Sequence, residues 1–157
     1  MIDAVLTRFK LNGREVEVDV MPNEVLLDTL RLRLGVKSVK RGCERGECGS
    51  CTILLNGEPV TSCLILMPQV EGADIVTVEG LESDPKFMKL VDNFIKEGAI
   101  QCGFCTPGFL LTAYAAVTKG KVRTLEDIKK HLEGNLCRCT GYVKIIDAVA
   151  KTALKPL

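Results

Sequence analysis

Residues Gly42 to Cys63 read GCERGECGSCTILLNGEPVTSC, and the reading of the first half follows from them. Asn56-Gly57 splits CTILLNGEPVTSC into two short arms, a strong hairpin signal because Asn and Gly both accept the positive φ of a tight type I′ turn. Cys43, Cys48 and Cys51 precede the hairpin and Cys63 closes its far side. C-x4-C-x2-C with a distant fourth cysteine is the plant-type [2Fe–2S] spacing. Two irons bridged by two sulfides need four thiolates. One wrapping loop can supply three, and a neighbouring rigid element supplies the fourth. Gly42, Gly46 and Gly49 let the backbone come close, so that amide N–H groups point at sulfur. The alternative is a structural zinc site, although zinc knuckles favour paired C-x2-C units.

Outward from this stretch, a second Asn-Gly, Asn12-Gly13, lies between Val5, Phe9 and Leu11 and the alternating run Glu15 to Val20, predicting another hairpin. Asn23 is a candidate cap for a helix over Glu24 to Leu34, with Leu26, Leu27, Leu30 and Leu34 on one face and Gly35 as its stop. Ile75 to Val78 supplies a last strand. Hairpin, helix, hairpin and returning strand predict a β-grasp arrangement.

Beyond EGLESDP (Glu79–Pro85) the apolar period changes from 2 to 3.6. Phe87, Leu90, Val91, Phe94 and Ile95 share a helical face ended by Gly98. Thr106-Pro107 offers an N-cap and N1 proline to a helix that is apolar all round, hence central. Thr124 precedes LEDIKKHLEG, with Glu126 and Lys130 spaced as an i,i+4 pair. Thr140 is the expected start of a last helix turning Val143, Ile146, Val149 and Ala150 inward. The predicted class is α+β: an N-terminal β-grasp, plant-type ferredoxin-like domain over 1–79, then a C-terminal four-helix bundle over 80–157.

Composition narrows the functions. Twenty-one basic against twenty acidic side chains give a net charge of +1, which speaks against a nucleic-acid footprint. Aromatics at 4% and the lack of Trp speak against a base-stacking surface. Asp3, Arg8 and Lys10 interrupt what would be the apolar part of a signal peptide, and GFLLTAYAAV (Gly108–Val117) is too short for a membrane span. The expected location is the cytoplasm. There, eight cysteines point to metal or catalysis rather than disulfides, and one histidine, His131, leaves little scope for mixed Cys/His zinc sites.

The other four cysteines fall between predicted helices: Cys102 and Cys105 in QCGFC, Cys137 and Cys139 in CRC. Pairs at interhelical turns of one bundle can converge, and four thiolates again suffice for one [2Fe–2S] cluster. Zinc remains an alternative on spacing alone, and so does a redox C-x-x-C, which leaves CRC unexplained. The chain shows no Gly-rich dinucleotide fingerprint and no P-loop, and no catalytic residue is assigned.

GCERGECGSCT, QCGFCTPG and GNLCRCTGY, in this order, resemble the iron–sulfur component of the molybdenum hydroxylases, of xanthine dehydrogenase, aldehyde oxidoreductase and carbon monoxide dehydrogenase type. The resemblance spans essentially the whole chain and preserves all eight cysteines. It implies two [2Fe–2S] clusters, one on Cys43, Cys48, Cys51 and Cys63, the other on Cys102, Cys105, Cys137 and Cys139. It further implies that the second cluster lies nearer molybdenum, with the Cys139 position against the pterin of the molybdopterin cofactor and Gln101 hydrogen-bonding that pterin. Its implied partners are a large molybdopterin-binding subunit and a medium FAD-binding subunit in a heterotrimer. The chain would then be an oxidoreductase subunit that carries electrons between molybdenum and FAD. A free-standing ferredoxin-like carrier is the alternative function. Arg138 and the Lys40-Arg41 pair read as solvated or interfacial, His131 as surface, and Phe104 and Phe109 as packing residues.

Overall fold

Both Asn-Gly dipeptides make the turns their chemistry favours. In the computed structural model, which describes residues 3–154, all four turn residues have positive φ: 52° and 79° at Asn12 and Gly13, 51° and 79° at Asn56 and Gly57. The first turn joins β1 (Val5–Leu11) to β2 (Arg14–Val20), with Leu11 opposite Arg14. The second joins β3 (Thr52–Leu55) to β4 (Glu58–Thr61), with Leu55 opposite Glu58. β5 (Asp74–Val76) runs between the hairpins, parallel to β1 and antiparallel to β3, giving the sheet order β2-β1-β5-β3-β4. β5 ends earlier than its apolar run suggests. The Thr77 amide leaves the ladder to donate to Asn12 Oδ1 (2.8 Å), and the chain then turns through Val78–Leu81.

The first helix departs from expectation in both start and winding. Val25 stays extended and bridges Leu66, so α1 covers only Leu26–Asp28 and Asn23 caps nothing. It widens at once into a π turn, Thr29–Arg33, where the Leu34 amide reaches back five residues to the Thr29 carbonyl (3.0 Å). Leu26, Leu27 and Leu30 are nonetheless fully buried against Phe9, Ile53 and Ile75 of the sheet.

The helical half has α2 (Pro85–Lys96), α3 (Thr106–Thr118), α4 (Leu125–Leu132) and α5 (Val143–Ala153). Asp84 caps α2 by accepting from the Lys86 and Phe87 amides (2.7 and 3.0 Å), and Thr124 and Asp127 form a capping box on α4. α3 touches the other three helices, and Phe109, Leu111 and Ala113 lie at its centre. Leu54 of β3 joins this second core while its neighbour Ile53 faces the first, so the alternation of one strand feeds both. Each large apolar side chain buried in this way contributes roughly 1.5–3 kcal/mol relative to exposure.

Details of phase differ from the sequence pattern. α3 starts one residue earlier than the expected capping: Cys105 occupies the N-cap without a side-chain bond, and Thr106 and Pro107 are the first two helical residues. Ile95 and Val143 are exposed; α5 buries Val149 as expected, with Ile145 and Ala148 beside it. Glu126 meets Lys129 at 3.5 Å rather than Lys130. Met1, Ile2 and residues 155–157, the outer ends of the two expected domains, lie outside the described residues.

Candidate metal centres

Strand pairing assembles the first cysteine set. Thr52 opposes Thr61, which brings Cys51, just before β3, beside the Ser62–Leu64 turn that carries Cys63. Ser62 fixes this contact by donating its amide (3.2 Å) and hydroxyl (2.8 Å) to the Cys51 carbonyl. The Cys51 and Cys63 thiols lie close together, and both are buried. Cys43 and Cys48 form a second, half-buried pair in the loop ahead of β3. The amides of Arg45, Glu47 and Cys48 all donate to Cys43 Sγ at 3.4 Å. These amides, Arg45 foremost, pull the Cys43 thiol down to about 7, whereas burial pushes Cys63 up to about 11.

The second set also gathers as two pairs. Cys139 Sγ donates to Cys102 Sγ at 3.5 Å, both exposed, and Cys105 pairs with the buried Cys137. Cys102 and Cys105 close the link between α2 and α3, while Cys137 and Cys139 lie in the link between α4 and α5. Burial, with the neighbouring Cys137 thiol, drives the Cys105 thiol to about 12. Burial also opposes the Cys137 thiolate, yet the Thr140 hydroxyl (3.1 Å) and amide (3.4 Å) on its sulfur outweigh that and lower it.

This pairing bears on the metal. A tetrahedral zinc ion needs four thiolates around one centre. Two adjoining thiol pairs, with amides and a hydroxyl already aimed at sulfur, suit two neighbouring irons and the negative charge of a cluster.

Gln101 and Arg138 are exposed, each next in the chain to one of the outer pair, Cys102 and Cys139. Phe109 packs in the core as expected. Phe104 does not: it is exposed, just before Cys105 in the chain. His131 is half-buried rather than on the surface, and Arg41 pairs with Asp28 and with Glu44 (2.9 Å). Three functional side chains escaped the sequence reading. Thr140 serves the Cys137 sulfur instead of beginning α5. Tyr142, left-handed at φ 69°, takes the Cys137 amide on its hydroxyl (3.1 Å). Asn135 is buried between the two sets. Their only sequence signal is position, immediately around CRC.

Residues 9–75 match the 2Fe-2S iron-sulfur cluster binding domain family, and residues 77–150 match the [2Fe-2S] binding domain family. The small FeS subunit of nicotinate dehydrogenase from Eubacterium barkeri is 46% identical over 148 residues, covering 94% of each chain. The iron–sulfur-binding subunit of xanthine dehydrogenase from Escherichia coli O157:H7 is 43% identical over 141 residues, covering 88% of each. The chain belongs to the iron–sulfur subunits of the molybdenum hydroxylases. Among solved structures, a chain of quinoline 2-oxidoreductase from Pseudomonas putida 86 matches this small iron–sulfur subunit with a TM-score of 0.90 at 43% identity, over 96% of this chain and 93% of that one. The mixed α/β fold, with five strands and five α-helices among the described residues, is thus shared with that chain, and this chain carries two [2Fe–2S]-binding domains. No described helix is long and apolar enough to cross a membrane.

Proposed function

We propose that this subunit relays electrons between a molybdopterin-bearing large subunit and an FAD-bearing medium subunit in the cytoplasm. In this reading it divides into a plant-type ferredoxin-like β-grasp domain over 1–79 and a four-helix domain over 80–157. The observation that carries the proposal is the gathering of eight cysteines into two sets of paired thiols, one per family domain.

Cys43, Cys48, Cys51 and Cys63 hold one [2Fe–2S] cluster, and Cys102, Cys105, Cys137 and Cys139 hold the other. When bound, the clusters supply one-electron redox chemistry. The chain's own part is ligation, donation of amide and hydroxyl hydrogens to sulfur, and exclusion of water by the burial of Cys51, Cys63 and Cys137. The second set opens outward through Cys102 and Cys139, with Gln101 beside them. We assign Cys139 and Gln101 to contact with the pterin of the large subunit.

Exposed apolar side chains support a partner at that face: Ile100 and Phe104 flank Cys102, Leu136 precedes Cys137, and Val143 opens α5. An adjoining apolar groove of about 250 Å³ runs past Leu132, Leu136, Tyr142, Ile145 and Ile146. A free-standing carrier would leave this surface in water. Native purification tests the reading. The 17.1 kDa chain is expected to elute with two larger chains, one containing molybdenum and one FAD. Elution alone, with full competence to exchange electrons, would establish the free-carrier alternative instead.

A further inference from the structure

We propose that Asn135 is a positioning residue that clamps the first cysteine loop onto the second cysteine turn and sets the electronic contact between the two sites. This rests on reading the eight cysteines as two cluster sites.

Asn135 is only 3% exposed, and a buried amide costs free energy unless it is bonded. Its Nδ2 donates to the Gly49 carbonyl at 3.1 Å, across 86 residues of chain. The next residue continues the contact, because the Leu136 amide donates to the Cys48 carbonyl at 2.9 Å. Two consecutive donors therefore meet two consecutive acceptors. One side of this ladder is Cys48 itself, and the other leads directly into Cys137. From the backbone of a first-set cysteine to that of a second-set cysteine, the path crosses one hydrogen bond and one residue.

The junction is built for closeness. The Gly49 carbonyl also accepts from the Thr52 amide (3.2 Å) and hydroxyl (2.7 Å), which hold its direction. A Cβ on Gly49 would lie 2.4 Å from Asn135 Nδ2, and one on Gly108 would lie 2.3 Å from the Gly49 carbonyl oxygen. Gly108 is in the first turn of α3, three residues after Cys105. Three cysteine-bearing segments thus converge on one carbonyl, and only glycine at 49 and 108 admits them. Apolar packing alone would join the two halves without fixing orientation, whereas paired hydrogen bonds fix both distance and direction. The amide side chain suits the place: Ala lacks the donor, Asp would set a carboxylate against a carbonyl, and Gln is too long. The junction would serve a one-electron exchange in which one site is oxidised as the other is reduced, with no bond or proton passing across.

The test uses the full chain, loaded with iron and sulfide and reduced with dithionite, as wild type, Asn135→Ser and Asn135→Ala. Low-temperature EPR reads the magnetic splitting between the two reduced centres. Both variants are expected to keep wild-type iron, sulfide and g-values while the splitting shrinks and exchange between the sites slows. Wild-type splitting and exchange in both variants, or splitting lost only in proportion to lost iron, would overturn the proposal. Hydrogen exchange on the wild-type chain decides should neither variant load. The Leu136 amide should be as protected as the α3 core, and exchange as fast as an exposed turn would remove the clamp. A wild-type chain without sulfide would overturn the cluster reading itself, a separate outcome.

Discussion

The two cysteine sets share a pairing plan and differ in what surrounds them. Around the first, the loop is held in ion pairs, Arg41 with Asp28 of α1 and with Glu44, and Arg45 with Glu47, although Leu64 beside Cys63 is also exposed. Around the second, Arg138 stands between Cys137 and Cys139, but the other exposed neighbours include Phe104, Leu136 and Val143, 45%, 52% and 64% exposed. A charged rim tolerates solvent, whereas an apolar rim loses free energy until something covers it. Similar ligand chemistry is therefore set in two surfaces with different demands for a partner.

Four experiments would break or sharpen this contrast. Cys139→Ser has the largest expected effect: the second set loses its cluster and the first keeps its own, so iron falls from about four to about two per chain. Iron analysis with EPR reads this, and loss of both signals would merge the sites into one. Next, Phe104→Asp should weaken assembly with the larger chains by 2 kcal/mol or more, roughly thirtyfold, as for an interface anchor, with iron content unchanged. Titration of the complex measures it, and unaltered affinity would place the interface elsewhere.

Asp84→Ala asks whether the helical half unfolds as a unit. Asp84 caps α2 and accepts the Tyr114 hydroxyl of α3 at 2.8 Å, so its loss should cost about 1–2 kcal/mol in the helical half and leave the sheet half intact. The Phe87 amide, with that hydroxyl and the Lys86 amide, holds the carboxyl below its usual range. Its contribution is therefore complete above the ordinary carboxylate pKa and disappears as pH falls through the lowered value. Wild type and variant should converge in acid, which thermal melts across pH would reveal. The smallest effect is expected from Arg45→Ala, within about 0.5 kcal/mol in stability, because its ion pair with Glu47 is well exposed. A larger, salt-sensitive loss of association would show that the charged rim is an interface as well.

What the sequence made legible was local. Each Asn-Gly turn is decided by two residues, and cysteine spacing reports how many thiolates one loop can supply. The phase of α5 was not legible. Tyr142 enters it left-handed, with its hydroxyl on the Cys137 amide, and this rotates Ile145 inward and Val143 out. The π turn at Thr29–Arg33 follows a backbone bridge between Val25 and Leu66, a contact that no helical periodicity announces. The junction at Asn135 joins residues far apart in the chain, so the motif that contains it showed its cysteines and hid its amide.

The most direct test of the central claim is iron and acid-labile sulfide per chain, with EPR after dithionite reduction, on anaerobically purified protein. Two paired-thiol sets predict about four irons, about four sulfides and two distinguishable [2Fe–2S] signals. Zinc without sulfide, or about two irons with a single signal, would contradict the account.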